Sequence, residues 1–418
     1  MVKQEFKQTE IGMIPEDWEC ALLLDKATLL NGLTYTPDNV KDNGLLVLRS
    51  SNIQNNQLSL EDALYVNCIV EDKKRIKDGD ILICVRNGSA AVIGKCAQAH
   101  RDYDATFGAF MAVLRGNHND YIHQILQQGT IQKEISKNSG ATINQITNGD
   151  FKLIKIALPT SNDEEVAIAS SLSNVDKLIS SSEKLITKKK AIKQGAMQEL
   201  LTGKRRLPGF SGKWRTEIIP EVLQKQEGIK IGPFGSQLKK EYLLDDGPYR
   251  VYGQENVYAQ DFSIGNRYLN RERFRQLQSC EVRPGDFLIS TMGTIGKCAI
   301  VPNGIHSGIM DSHLIRLRIN EQKLMPEYLL HLFSEELGYL KGQTSKLSVG
   351  GIMDGLSTKI VNALNVLYPE DLSEQKAIAE FLSTMNAEIQ TLEQKLEKYR
   401  QVKQGMMQQL LTGKIRLV

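Results

Sequence analysis

The sequence predicts an α+β protein with a pseudo-twofold internal duplication. Two mixed α/β bodies are joined by two long helices that pair as an antiparallel coiled coil. Three observations predict this. First, residues 195–208 read GAMQELLTGKRRLP, and the chain closes from residue 405 on GMMQQLLTGKIRLV. Sliding the sequence by 210 positions and comparing 159–207 with 369–417 gives 22 identities in 49 positions without a gap. Second, a turn followed by a short apolar strand occurs twice, as KDGDILIC (77–84) and RPGDFLIS (283–290). Each is followed by IGKCA, at 93–97 and 295–299. Third, apolar residues in the repeated segment alternate in steps of three and four, the spacing of a coiled-coil seam.

The chain has 418 residues, more than one core usually holds. Apolar residues make up 41% and charged residues 24%, a globular balance with no membrane-spanning run. No signal peptide is read at the start, and the six cysteines form no CxxC pair. They read as reduced core residues of a cytoplasmic protein, with neither disulfides nor a metal site. The net charge is +3, from 52 basic and 49 acidic residues, which neither demands nor excludes a nucleic-acid partner.

The first body spans 1–160. It opens on IGMIPEDW, ending at Trp18, and the second opens on LPGFSGKW, ending at Trp214. Both tryptophans read as packing anchors, with ligand stacking as the alternative. Between the framework pieces the halves diverge: NGLTYTPDNVKDNGLLVLRSSNIQ has no clear partner in IGPFGSQLKKEYLLDDGPYRVYGQENV.

The first long helix falls in 161–206. Ser161 or Asn162 suits its cap, acidic residues fill its first turn, and Gly203 stops it. Its seam reads Leu172, Val175, Ile179, Ser182, Ile186, Lys189, Ile192. The second body spans 207–370 and the second helix 371–418, with Ser373 or Asp371 as cap and Gly413 as stop. That seam is more regular: Leu382, Met385, Ile389, Leu392, Leu396, Tyr399, Val402, Met406, Leu410. A helix of about 38 residues is about 57 Å long and overhangs one body, so it needs a partner. The duplicate helix is the obvious one; folding back onto its own body is the alternative. Lys184, Lys188, Lys189, Lys190, Lys193, Lys204, Arg205 and Arg206 form a basic cluster. It reads as a solvated face or as a contact to phosphates or an acidic partner.

Catalytic motifs are not found. The twice-written TGK lacks the GxxxxGK[ST] spacing of a phosphate loop, and both IGKC segments fail by spacing or by the cysteine after lysine. There is no GxGxxG, GxSxG, HExxH, Asn-Pro-Pro or Asp-Pro-Pro. The divergent segments instead carry groups suited to DNA. In the first body these are Tyr35, Thr36, Arg49, Ser50, Ser51, Asn52, Arg86, Asn87, Ser89 and Lys95. In the second they are Ser236, Gln237, Lys239, Lys240, Arg250, Tyr252, Gln254, Asn256, Thr291 and Thr294. Arginine suits guanine edges, Asn and Gln suit adenine edges, and Ser, Thr and Lys suit phosphates. Ordinary loop polarity is the alternative for each residue alone; the parallel placement in both halves favours binding.

Together, QTEIGMIPEDWE, a GDIL strand with a following IGKC, SGATINQI before a proline and a heptad helix closing on LLTGK resemble the specificity subunit of type I restriction-modification enzymes. The resemblance spans nearly the whole chain. SGATINQI has only a loose partner, VGGIMDGL (349–356), in the second half. The resemblance implies that each body is a target recognition domain reading one half of a bipartite double-stranded DNA site. It implies that the paired helices fix the distance between half-sites, and that two methyltransferase subunits dock on the chain, with restriction subunits joining them. Leu200, Leu201, Leu410 and Leu411 are the docking residues so implied. It further implies no catalysis and no cofactor in this chain, with S-adenosylmethionine, ATP and Mg belonging to the partners. The alternative function is a non-catalytic protein-binding scaffold.

Overall fold

The structure, a computed structural model, describes residues 5–138, 145–347 and 355–417. The SGATINQI segment up to residue 144 and its loose counterpart up to residue 354 lie outside the described residues. The chain divides into two compact units. One comprises residues 1–184 with 393–418, the other residues 185–392. Each unit therefore owns part of both long helices, Asn162–Leu200 and Leu372–Leu410.

In the first unit, GDILIC forms the strand Ile81–Cys84, which is fully buried, as its unbroken apolar run requires. It lies between Cys96–Gln98 and Met111–Arg115, and Thr28–Asn31 completes this antiparallel sheet. A second sheet pairs Leu45–Leu48 in parallel with Ala105–Phe107 and antiparallel with Tyr65–Val66. The helix Asn119–Leu126 buries against the core, where Tyr121 donates its hydroxyl to the Ala157 carbonyl at 3.2 Å.

The second unit repeats this plan. Phe287–Ser290 lies between Cys298–Ile300 and Leu314–Leu317, with Ile229–Ile231 at the edge. Tyr249–Tyr252 pairs in parallel with Gly308–Met310 and antiparallel with Tyr268–Leu269. Tyr328 takes the place of Tyr121 and donates to the Leu367 carbonyl at 3.0 Å. The segments without a clear sequence partner are thus topological equivalents: LLVLRSSN and YRVYGQEN each run from the parallel-paired strand into a capped turn. Gly32 and Gly232 mark a second equivalence. A Cβ at either would stand 1.9 or 1.7 Å from the carbonyl oxygen of Gly108 or Asp311, so the backbones pass too closely for any side chain.

The helices begin and end where their signals lie. Ser161 accepts from the Glu164 amide at 3.4 Å and Asp371 from the Ser373 amide at 2.8 Å. Gly203 and Gly413 carry φ of 70° and 65°, the left-handed stops. Within the first unit the helix segments run antiparallel: Asp176 pairs with Lys403 at 2.6 Å and, further along, Glu183 with Arg400 at 2.7 Å. Within the second, Lys189 pairs with Glu388 at 2.7 Å and Arg206 with Glu374. The seam departs from expectation at one equivalent place in each helix. Ile192 and Val402 face solvent, while the neighbouring Lys193 and Lys403 are buried. Each lysine lays its apolar stem in the seam and holds its ammonium on a carboxylate, Glu336 or Asp176.

The repeated LLTGK phrase closes each unit. Leu410 and Leu411 are buried in the first core with Trp18, and Leu200 and Leu201 in the second beside Trp214. Beyond the helix stop, Arg416 pairs with Glu164 and Asp17, its guanidinium 5.8 Å from the Trp18 ring centroid. Arg206 repeats this with Glu374, 5.6 Å from the Trp214 ring centroid. The start of one helix, the end of the other and the body's tryptophan are thereby tied together in each unit. Both tryptophans are packing anchors. The implied role of the four leucines in docking partners is revised, because their side chains are already buried in the chain's own cores.

His123, on the helix Asn119–Leu126, is buried, and its pKa is pushed down to about 3, first by loss of water and then by Lys403 and His100. The folded protein holds this ring neutral, whereas an unfolded histidine titrates near 6.5. Stability from this group is therefore full above about pH 6.5 and declines as pH falls towards the folded value. We expect acidification from pH 7 to pH 5 to cost the first unit about 1–2 kcal/mol through this residue. Urea unfolding of the parent and His123→Gln proteins at both pH values checks it; an equal loss in both would remove His123 as the cause.

Candidate nucleic-acid interface

In each unit the central buried strand runs out into a loop held by the same backbone bonds. In the first unit, Val85 donates to the Phe110 carbonyl at 3.0 Å and Ile146 to the Val85 carbonyl at 2.8 Å. In the second, Thr291 donates to the His313 carbonyl at 2.9 Å and Leu356 to the Thr291 carbonyl at 2.8 Å. The turn closes alike too, with Gly94 donating to Cys84 and Gly296 to Ser290, both at 2.9 Å. A rigid sheet thus presents one loop geometry in both units, and the side chains on it differ. This is the arrangement in which loops carry recognition on a constant scaffold.

The first unit brings two of the predicted segments together. Asn87 donates its amide to the Ser50 hydroxyl at 3.1 Å and accepts from the Ser89 amide at 3.0 Å. Arg86 is exposed beside them, over the Phe110 ring at 5.2 Å from its centroid. Ser51 and Lys95 are exposed, and Tyr35 is half-buried against the strand-end backbone at Gly108. Thr36 belongs to a local turn, donating through its amide to Asn39 Oδ1 at 2.9 Å. Arg49 pairs with Asp62 at 2.8 Å, so its charge is already answered within the chain.

Asn52 is not a base reader in this structure. It is 0% exposed: Oδ1 accepts from the Arg49 amide at 2.8 Å, and Nδ2 donates to the Ser59 and Asp62 carbonyls at 2.8 and 3.1 Å. Asn256 has the same place in the second unit. Its Oδ1 accepts from the Gly253 amide at 2.9 Å, and Nδ2 donates to the Asp261 and Ile264 carbonyls at 3.0 Å. Each amide satisfies a turn that no backbone ladder serves, and none of its hydrogen-bonding capacity faces outwards. Three more expected contacts are also internal. Tyr252 is buried and donates to the His306 carbonyl at 2.5 Å, Thr291 is buried in the strand end, and Arg250 donates to the Ser263 and Gly265 carbonyls at 2.6 Å.

The remaining residues of the second unit are accessible. Ser236, Gln237, Lys239 and Lys240 are exposed on one loop, with Lys239 only 3.6 Å from Glu241. Gln254 Oε1 lies 3.0 Å from the Tyr258 hydroxyl, which also accepts from the Thr294 amide at 3.2 Å. Tyr258 thereby joins the Gln254 turn to the exposed Thr294 loop. Sequence reasoning missed Tyr258, along with Phe110, Phe234 and Met292, which are 39%, 54%, 69% and 45% exposed. None of these side chains except that of Tyr258 carries a strong hydrogen-bonding group. The available signal was a large apolar residue beside a strand end, in a segment where the halves differ. Among the described residues no group of three His, Cys, Asp or Glu side chains is placed to hold a metal ion, and no helix is long and apolar enough to cross a membrane.

Comparison with known proteins follows the same twofold plan. Residues 15–194 and 232–400 match the family model described as the type I restriction modification DNA specificity domain. The chain is 28% identical to the putative type I restriction enzyme MjaX specificity subunit of Methanocaldococcus jannaschii, over 99% of this chain and 97% of that protein. It is 25% identical to the type I restriction enzyme StySPI specificity subunit of Salmonella potsdam, over 92% of this chain and 85% of that protein. In fold it is similar to the crystal structure of a type I restriction-modification S subunit from M. genitalium. That likeness has a TM-score of 0.59 at 16% identity and covers 98% of this chain and 99% of the other.

Proposed function

We infer the working of this molecule from one premise: the chain belongs to the type I restriction-modification DNA specificity family. It is the DNA-recognition subunit of such a complex, and catalysis is not its part. We propose that residues 1–160 and 207–370 are the two target recognition domains, each reading one half of a bipartite site. Residues 161–206 and 371–418 are the spacing and docking helices. Two methyltransferase subunits dock on the chain, restriction subunits join them, and S-adenosylmethionine, ATP and Mg are bound by those partners in the cytoplasm.

The observation that carries the reading is the strand-end loop of each unit: one backbone frame, two sets of side chains. A machine with two like arms reads an asymmetric site only if the arms differ where they touch bases. In the first unit we assign contact to Tyr35, Ser50, Ser51, Arg86, Asn87, Ser89 and Lys95. In the second we assign it to Ser236, Gln237, Lys239, Lys240, Gln254 and Thr294. The lysines suit phosphates, which carry register but no sequence.

Methylation-site sequencing of a host carrying the complete system tests the reading. The expected motif has two specified segments separated by an unspecified spacer. Gln254→Ala should relax bases in one segment only. A continuous motif, or relaxation of both segments by that substitution, would remove the assignment of one body to each half.

A further inference from the structure

We propose that Arg86 and Phe110 form a base-reading pair in the first unit, with Arg86 donating to the major-groove edge of a guanine and the Phe110 ring holding its guanidinium in place. The proposal rests on the reading of this chain as a DNA-recognition subunit and names one of its contacts. Most arginines of this unit's body are already answered by acids: Arg49 by Asp62, Arg75 by Asp104, Arg115 by Asp80. Among the described residues Arg86 has no acidic partner, and its guanidinium lies 5.2 Å from the Phe110 ring centroid. Phe110 is itself 54% exposed, an apolar ring left in water directly beside an unanswered cation.

Both residues stand on the frame that the two units share. Val85, just before Arg86, donates to the Phe110 carbonyl, and so does Arg86 itself, at 3.0 and 3.1 Å. The equivalent pair in the second unit is Met292 and His313, on the bond from Thr291 to His313. One strand-end backbone bond is shared by the two units while the side chains at these positions change, from arginine and phenylalanine to methionine and histidine. That is what a pair of positions must do if each unit reads different bases. Stacking on an aromatic face fixes the plane of a guanidinium and lowers the rotamer entropy lost on binding. A planar fork so held matches guanine O6 and N7, the pairing that arginine makes most often in the major groove. A phosphate contact asks for no such orientation.

The test uses the full chain purified with the methyltransferase subunits of its own system. Duplexes carry the methylated motif with one base pair altered at a time, and one series replaces each guanine by 7-deazaguanine, which lacks the N7 acceptor. Arg86→Lys keeps the charge and loses the fork. It should cut discrimination at a single guanine of the first half-site about 10- to 100-fold. Deaza substitution at that guanine should weaken the parent protein and leave Arg86→Ala, which keeps no donor there, unaffected. Phe110→Leu should reduce the same discrimination by a smaller factor, and the second half-site should be unchanged by either substitution. Arg101 supplies the control: its guanidinium lies 4.9 Å from the Tyr103 ring centroid, beyond the opposite end of the same sheet, and Arg101→Ala should alter no base preference. Uniform weakening of every duplex by Arg86→Ala, with discrimination kept, would overturn the proposal in favour of a phosphate contact. Unchanged discrimination, or a change in the second half-site, would also overturn it. A parent protein with no base preference anywhere would overturn the DNA-recognition reading itself.

Discussion

Replacing Glu164 with alanine is expected to cost about 3 kcal/mol of stability in the first unit, the low end of the range for breaking a buried ion pair. The Glu164 side chain is 0% exposed and accepts from three donors: Trp18 Nε1 at 3.2 Å, Arg416 Nη2 at 2.7 Å and Arg416 Nε. Without it, the indole N–H of Trp18, a residue 1% exposed, has no acceptor. Arg416 keeps Asp17 at 2.7 Å and is one-fifth exposed, which limits the loss. Glu164→Gln, which retains an acceptor, should fall between parent and alanine. The matched control is Arg400→Ala, whose pair with Glu183 is half-exposed and should be worth less than about 1 kcal/mol. Urea unfolding with hydrogen exchange, read separately for each unit, measures the difference. If Glu164→Ala costs no more than Arg400→Ala, the closing role assigned to the repeated phrase is wrong.

Asn52→Ala and Asn256→Ala should each lose about 2–4 kcal/mol, because each truncation leaves one amide N–H and two carbonyls unpaired at a buried turn. The loss should appear in the unit carrying the substitution. Gln254→Ala, two residues from Asn256 and partly exposed, should change stability by less than about 0.5 kcal/mol. A double comparison of unfolding and half-site binding separates the two roles. An Asn52→Ala protein of full stability that has lost one base preference would return Asn52 to the interface.

The amide residues show why candidate sites were only half legible. In RSSN and QEN the side chains look alike as donors and acceptors, and a sequence does not say which capacity the local backbone has already taken. The turn after each parallel-paired strand needs an acceptor and two donors at one buried point. Asparagine supplies all three, so Asn52 and Asn256 serve the turn, while Ser50, Asn87 and Gln254 remain near the surface. Phe110 is illegible in the sequence for the converse reason. Its type suggests a core, and only the end of the sheet leaves it beside Arg86.

The sequence by itself determined the twofold plan, the α+β class, both long helices with their caps and stops, and the family. These are written in local signals: periodicity, capping residues and a repeat whose offset needs no gap. Only the tertiary structure decided that the divergent segments share one topology, because strand pairing joins residues far apart and tolerates different side chains on the same frame. It alone placed Lys193 and Lys403 in the seam instead of Ile192 and Val402. There a helix of 3.6 residues per turn drifts against a seven-residue repeat, and a distant carboxylate makes burying the next residue favourable. It alone showed why LLTGK is written twice. Each copy must end against a tryptophan and a glutamate supplied by other parts of its own unit; the repeat keeps Glu164 and Glu374, and Arg206 and Arg416, at one offset, but only proximity in space shows that they meet.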